Sequence, residues 1–105
     1  MNRNVLNDIL QKHTLWLAKE EGGECADLSH ANLKGIDLHG VNLRGADLSY
    51  AKLNGAVLWG ADLRHADLRG VHLDGADLWS ADLTGAKLWD GALTGTELDP
   101  LADDE

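Results

Sequence analysis

Leucine recurs at every fifth position from residue 28 to residue 98 without a miss, giving fifteen consecutive centres. Two positions before each leucine stands a small or β-branched residue, which is alanine in ten repeats. This period fits neither regular element, because five residues on an α-helix rotate by about 500° and an odd period on a strand alternates between faces. Within one repeat, however, the small residue and the leucine share a face of a short extended segment.

The position two after the leucine predicts a corner. It is glycine in nine repeats, and glycine readily adopts the left-handed backbone of tight turns. Each repeat is therefore interpreted as one short side and one corner, with the small residue and the leucine directed inward. Repeated corners of one hand wind the chain into a solenoid whose coils stack about 4.8 Å apart. The period alone fixes neither the number of sides nor the hand.

The motif Ala-(Asp/Asn)-Leu-x-x, as in residues 26–30 and 61–65, resembles the repeats of the pentapeptide-repeat proteins. The resemblance covers residues 26–98. It implies an all-β solenoid, a right-handed quadrilateral β-helix with four repeats per coil and just under four coils in this chain. The repeats at 91–93 and 96–98 lack the Ala-Asp prefix, which predicts a less regular final coil.

Residues 1–25 precede the repeats and are predicted to form an N-terminal capping helix and a linker. A solenoid exposes an apolar cross-section at each end, which such a helix would cover. Asn2 or Asn4 would begin the helix and Gly22 with Gly23 would end it. The alternative, a helix that binds a partner or a membrane, is disfavoured by the mixed charge of its polar face. Apolar residues recur at helical spacing: Val5, Leu6, Ile9, Leu10, His13, Trp16 and Leu17.

Charge changes this picture mainly at the C-terminus. The 105 residues support one domain, and 18 acids against 9 bases give a net charge of −9. This balance lacks the basic footprint of nucleic-acid binding. Residues 99–105 hold four acids and no base, and they are expected to form an acidic, solvated tail. At this end, Leu98 and Leu101 either fold over the last coil or pair with another copy, which predicts a monomer or an end-to-end homodimer.

The composition also indicates a cellular compartment. A single cysteine excludes an internal disulfide framework and indicates a reducing compartment, so we expect a cytoplasmic protein. No apolar run is long enough to span a membrane.

Stacking at four repeats per coil places residues from successive coils in columns, and these columns test for catalytic sites. No two histidines of the repeats share a column, and no serine has a histidine and an acid in register. The glycines fall at corners rather than in a phosphate-binding loop. We therefore expect no catalytic residues, no metal and no cofactor. The histidines considered are His30, His39, His65 and His72.

The third face of the implied β-helix carries an aromatic column. The position after leucine holds His39, Trp59, Trp79 and Asp99 on successive coils, and Val57 lies beside Trp59. We expect the two tryptophans to stack on the exterior. Exposed aromatic clusters mark interfaces, which predicts a protein-binding surface here. The alternative is that the indoles only stack on each other and shield the sheet.

The first face carries an acidic ladder. Asp27, Asp47 and Asp67 precede the leucine on successive coils. The stacked carboxylates would repel one another unless they are solvated or hydrogen-bonded.

These features predict a non-enzymatic protein-binding or scaffold module whose third face docks an unknown protein partner. The resemblance offers an alternative, because some pentapeptide-repeat proteins modulate DNA gyrase, a topoisomerase, by mimicking a DNA duplex. The short rod and the mild charge of residues 26–98, ten acids against six bases, disfavour this alternative.

Overall fold

Parallel β-bridges join residues that lie 20 positions apart along the repeats. The computed structural model describes residues 1–97, so Leu98 and the predicted tail at 99–105 lie outside the described residues. One coil therefore takes four repeats and has four sides, each formed by one repeat. The β-structure consists of isolated bridges rather than longer strands. The four columns of bridges define the first to fourth faces in this order: residues 27, 47, 67 and 87; 32, 52 and 72; 37, 57, 77 and 97; and 42, 62 and 82.

The inward leucines and alanines form one continuous core. Every repeat leucine from Leu28 to Leu78 is at most 2% exposed. Burying each such side chain contributes about 1.5–3 kcal/mol. Leu88 departs from the expectation that all repeat leucines face a covered interior, since it is 38% exposed. The physical reason is its place in the final coil, because no further coil within residues 1–97 packs beneath it.

From Leu28 to Ala86, each corner is a tight turn closed by a backbone hydrogen bond. In the first corner the N–H of Ala31 donates to the carbonyl of Leu28 at 3.1 Å. The third residue of such a turn has a positive φ, as at Gly35 with φ +67°, and this is what a type II turn requires. Glycine meets that requirement without steric cost, which explains its frequency at corners.

Gly35→Ala is expected to lower the free energy of unfolding by about 1–2 kcal/mol, because a Cβ strains the left-handed backbone. An added Cβ would meet no atom within 4 Å, so strain is the only cost. Urea unfolding followed by circular dichroism measures the change. Lys34→Ala is the control, since its exposed site calls for a change of less than about 0.5 kcal/mol. A Gly35→Ala variant as stable as the wild type would contradict this account of the corner.

A single helix, α1 (Arg3–Leu17), precedes the repeats in the described chain. Of the two candidate caps, Asn2 begins the helix, and its Oδ1 accepts the N–H of Val5 at 2.9 Å. The predicted end at Gly22 and Gly23 is wrong. The helix ends at Leu17 because Lys19 itself adopts a left-handed φ of 58°.

A pair of backbone hydrogen bonds closes this end of α1. The N–H of Lys19 donates to the carbonyl of Trp16 at 3.0 Å, and that of Glu20 donates to Leu15 at 2.9 Å. Together they form the Schellman motif, which satisfies carbonyls that the last helical turn would otherwise leave free.

The buried face of α1 packs on the first coil. Leu6 is fully buried in the same core as the repeat leucines. His13 is fully buried as well, and it bonds to the repeats through both ring nitrogens: Ala26 N–H lies 3.0 Å from Nδ1, and Nε2 lies 2.9 Å from the carbonyl of Arg44. Because the amide only donates and the carbonyl only accepts, the ring is neutral with its proton on Nε2. Burial lowers the pKa of His13, which favours this neutral form.

The final coil is irregular, as the altered repeats predict. Residues 90–95 form turns, and the bridge between Asp77 and Glu97 then restores the ladder. Trp89 directly precedes these turns. Its indole N–H donates to the carbonyl of Val71 at 2.9 Å. Within residues 1–97, no helix combines the length and the hydropathy needed to cross a bilayer.

Candidate protein-binding face

The third face places the predicted aromatic residues on the exterior of successive coils. Each follows a bridge residue by two positions, so the twenty-residue coil brings the side chains into one column. Trp59 and Trp79 are 48% and 45% exposed, and His39 is exposed beside them. Val57 is half-buried in the neighbouring bridge column. Asp99, the fourth member of the predicted column, lies outside the described residues.

The expected stack of Trp59 on Trp79 is wrong. Trp59 stacks on His39 instead, with the ring centroids 4.9 Å apart and an interplanar angle of 16°. Asp37 orients the imidazole, since its Oδ1 lies 2.8 Å from His39 Nδ1. The side-chain hydrogen bond from His39 lowers the pKa of Asp37. One indole is thus held by a polar pair, and the other tryptophan lies apart from this stack.

A hollow of about 480 Å³ lies on this face between the tryptophans and acidic side chains. The sequence prediction identified the indoles but missed the other lining residues. The stacking of residues 20 positions apart places the two acids next to each other, so the sequence did contain a signal for them. The serine is a corner residue, and no sequence pattern indicated that it lines the hollow. The hollow is lined by Trp59, Asp77, Trp79, Ser80 and Glu97.

The acidic ladder of the first face is hydrogen-bonded within the chain. Asp27 and Asp47 stack in one bridge column, and each accepts a serine hydroxyl at 2.6 Å, from Ser29 and Ser49 respectively. The bond from the Ser29 hydroxyl lowers the pKa of Asp27. These partners offset the repulsion expected between stacked carboxylates.

The third member of the acidic ladder, Asp67, forms an ion pair. Asp67 accepts two bonds from the guanidinium of Arg69, at 2.9 and 2.7 Å. This side-chain hydrogen bonding lowers the pKa of Asp67 to about 2. The three carboxylates of the acidic ladder therefore all have hydrogen-bond partners within the chain.

A second hollow, of about 490 Å³, lies between α1 and a corner of the repeats. The ring of Trp16 lies over Gly45, where an added Cβ would be 3.6 Å from it. No sequence pattern predicted this hollow, because it depends on how α1 docks. It is lined by Trp16, Leu17, Lys19, Arg44, Gly45 and His65.

The described chain holds no arrangement suited to a metal ion. Among residues 1–97, no group of three or more His, Cys, Asp and Glu side chains comes together as a ligand set. The repeat histidines are spread over different columns and corners. His30 stacks on Tyr50, with ring centroids 5.1 Å apart, and His65 lies over Gly85.

The repeats match a known family and known folds. The pattern of the pentapeptide repeats, in eight copies, matches residues 24–60, 52–90 and 61–99. A pentapeptide repeat protein from the thylakoid lumen of Arabidopsis thaliana is 31% identical with a TM-score of 0.66, over 76% of this chain and 61% of that one. The chain thus spans less than two thirds of that protein. No curated protein sequence matches the chain significantly.

Two further solved structures show weaker structural similarity. Rfr23, a pentapeptide repeat protein of the cyanobacterium Cyanothece 51142, is 37% identical over 70% of this chain and 44% of that one, with a TM-score of 0.46. QnrB1, a plasmid-mediated fluoroquinolone resistance protein, is 24% identical over 56% of this chain and 37% of that one, with a TM-score of 0.44.

Proposed function

Since the chain belongs to the pentapeptide-repeat family, a family of right-handed quadrilateral β-helices, we propose that it is a non-enzymatic protein-binding module. Proteins of this family generally serve as structural or binding modules rather than as enzymes. The proposed docking surface is the third face, and the proposed partner is another protein.

The observation that carries this proposal is the pair of half-exposed indoles on one rigid face. Trp59 and Trp79 keep 48% and 45% of their surface exposed beside the hollow. Tryptophan is costly to leave in water and is enriched at the energetic centres of interfaces. The backbone beneath them is fixed by hydrogen bonds between coils, such as Gly60 N–H to the carbonyl of Trp79 at 2.7 Å. Because this surface is already ordered, it would lose little conformational entropy when a partner binds.

We also propose that α1 closes the N-terminal end of a solenoid of just under four coils. Support comes from Leu6, whose side chain lies within the repeat core, and from His13, which bonds to two different repeats of the first coil through Ala26 and Arg44. Such closure covers the apolar cross-section that a repeat array exposes at its end.

The duplex-mimic alternative has no specific support among residues 1–97. A mimic needs a continuous negative surface, whereas arginine side chains neutralise acids on two faces. Arg69 pairs with Asp67 at 2.7 Å and Arg64 pairs with Asp62 at 2.7 Å.

Replacing Trp59 and Trp79 together with serine is expected to abolish partner capture, because the change removes the apolar contact area of the third face. The readout is the set of proteins retained from a lysate of the native organism, compared with the wild type by quantitative mass spectrometry. Circular dichroism should be unchanged, since both indoles lie outside the core.

Trp89→Ser is the matched control, because Trp89 is 44% exposed and lies away from the third face. It should retain the wild-type partner. Retention of every wild-type partner by the double serine variant would overturn the proposal.

A further inference from the structure

Two acids of the third face are stacked without a compensating cation in the described chain. Asp77 and Glu97 form a parallel bridge, so their backbones lie about 4.8 Å apart. Like charges placed directly opposite each other repel. Within residues 1–97, Asp77 accepts only the backbone N–H of Trp79, at 3.1 Å, and neither acid takes part in an ion pair.

The fourth face also has two stacked acids, and there an arginine of the chain compensates their charge. Asp62 and Asp82 form the equivalent parallel bridge. Arg64 lies two residues after Asp62, and its guanidinium is 2.7 Å from Asp62 Oδ2 and 4.0 Å from Asp82 Oδ2. Hydrogen bonding from Arg64 lowers the pKa of Asp62. A guanidinium therefore fits beside two stacked acids on this fold.

Trp79 occupies on the third face the position that Arg64 occupies on the fourth. Each lies two residues after the first acid of its pair. In place of the guanidinium the third face has a hollow of about 480 Å³, bounded by Trp59 and Trp79 as well as by the two acids. Indole faces attract cations, and carboxylates bind a guanidinium in charge-assisted hydrogen bonds.

We propose that the hollow of the third face binds a basic side chain, specifically an arginine, of the partner protein. The arginine of the partner takes the place that Arg64 fills on the fourth face, with its charge between Asp77 and Glu97 and its plane against an indole. This inference rests on the proposed protein-binding function and names the chemistry of the partner at that site.

The test uses the full chain labelled with ¹⁵N and the indole N–H signals of its four tryptophans. The probe is the blocked peptide Gly-Ser-Arg-Ser-Gly, and the matched probe has citrulline in place of arginine, with the same shape and no charge. The arginine peptide should shift the signals of Trp59 and Trp79 saturably and leave Trp16 and Trp89 unmoved. The citrulline peptide should bind at least tenfold more weakly. Equal binding of the two peptides, or no shift at Trp59 and Trp79, would overturn the inference.

Substitutions distinguish the contribution of the two acids to peptide binding from that of the two indoles. Asp77→Asn combined with Glu97→Gln should weaken the arginine peptide at least tenfold and keep the fold. Asparagine already serves at this position of the repeat, since Asn42 Oδ1 accepts the N–H of Arg44 at 3.2 Å. Asp47→Asn is the control at the same repeat position on the first face, because Asp47 does not line the hollow and its Oδ1 accepts the Ser49 hydroxyl at 2.6 Å. This variant should bind the peptide like the wild type.

Trp79→Arg provides a second, independent variant. Its guanidinium should fill the hollow from within the chain, as Arg64 does on the fourth face, and should abolish binding of the arginine peptide while the fold is retained. Full peptide binding by this variant would count against the inference.

The two proposals fail in distinguishable ways. If partner capture needs Trp59 and Trp79 but is unchanged in the Asp77→Asn, Glu97→Gln variant, the protein-binding role stands and the arginine site is wrong. If the arginine peptide binds the hollow but the double serine variant still captures every partner, the site stands and the protein-binding role of this face is wrong.

Discussion

Leu63→Asp is expected to leave the chain unfolded under conditions in which the wild type is fully folded. Leu63 is 1% exposed and lies in a central coil, with covered leucines in the coils on both sides. Removing a buried leucine costs about 2–5 kcal/mol, and an unpaired carboxylate in its place costs several more. The sum rivals the total stability of a typical domain, about 5–15 kcal/mol.

Far-UV circular dichroism and size-exclusion chromatography at 25 °C would detect this loss. Because each coil of a solenoid is held only by its neighbours, a break in the middle removes support from both halves. Lys34→Asp is the control, since it introduces the same carboxylate side chain at an exposed position of the repeats and should fold normally. A Leu63→Asp protein with the wild-type melting curve would contradict the inward placement of the leucines.

Acidification is expected to weaken the contact between α1 and the first coil. Burial lowers the pKa of His13 from its ordinary value of 6.5, so the unfolded chain binds the proton more readily than the folded chain does. The stabilisation is therefore fully present above about pH 6.5 and is lost as the pH falls through the lowered pKa. A proton on Nδ1 would also oppose the N–H of Ala26, which now donates to that nitrogen at 3.0 Å.

The free energy of unfolding between pH 7.5 and pH 5 measures this effect, and the indole N–H NMR signal of Trp16 reports it locally, since the Trp16 ring stacks on His13 with centroids 5.4 Å apart. His13→Ala should cost about 2–5 kcal/mol at pH 7.5, because it leaves buried polar partners on Ala26 and Arg44 unpaired. It should also flatten the pH dependence over this range. His72→Ala, at an exposed histidine of the second face, should leave the free energy of unfolding at pH 7.5 nearly unchanged. A wild-type pH profile in His13→Ala would show that another group is responsible.

The sequence determines the repeat geometry more closely than it determines the site. An uninterrupted period of five with glycine corners leads to a solenoid, and the bridges at 20-residue spacing confirm the four repeats per coil that the family resemblance implies. The exposure of Leu88 was not predicted, because it depends on what covers the final coil and not on the motif. The altered repeat at 91–93 did predict the irregular turns at 90–95.

The candidate site was predicted only in part, for a related reason. Column stacking placed Trp59 and Trp79 on one face, but the ring that stacks on Trp59 belongs to His39. Side-chain rotation decides between those neighbours, and the repeat pattern carries no information about it. The role of His13 also depends on docking, since its partners Ala26 and Arg44 lie 13 and 31 residues away in the sequence.

Photo-crosslinking from the third face tests the central claim most directly. Benzoylphenylalanine replaces Trp59 in one variant and the exposed Lys52 of the second face in another, and both are irradiated in cells of the native organism. We expect a discrete crosslinked protein from position 59 and none from position 52. The same adducts from both positions, or adducts from position 52 alone, would contradict the assignment of partner binding to the third face.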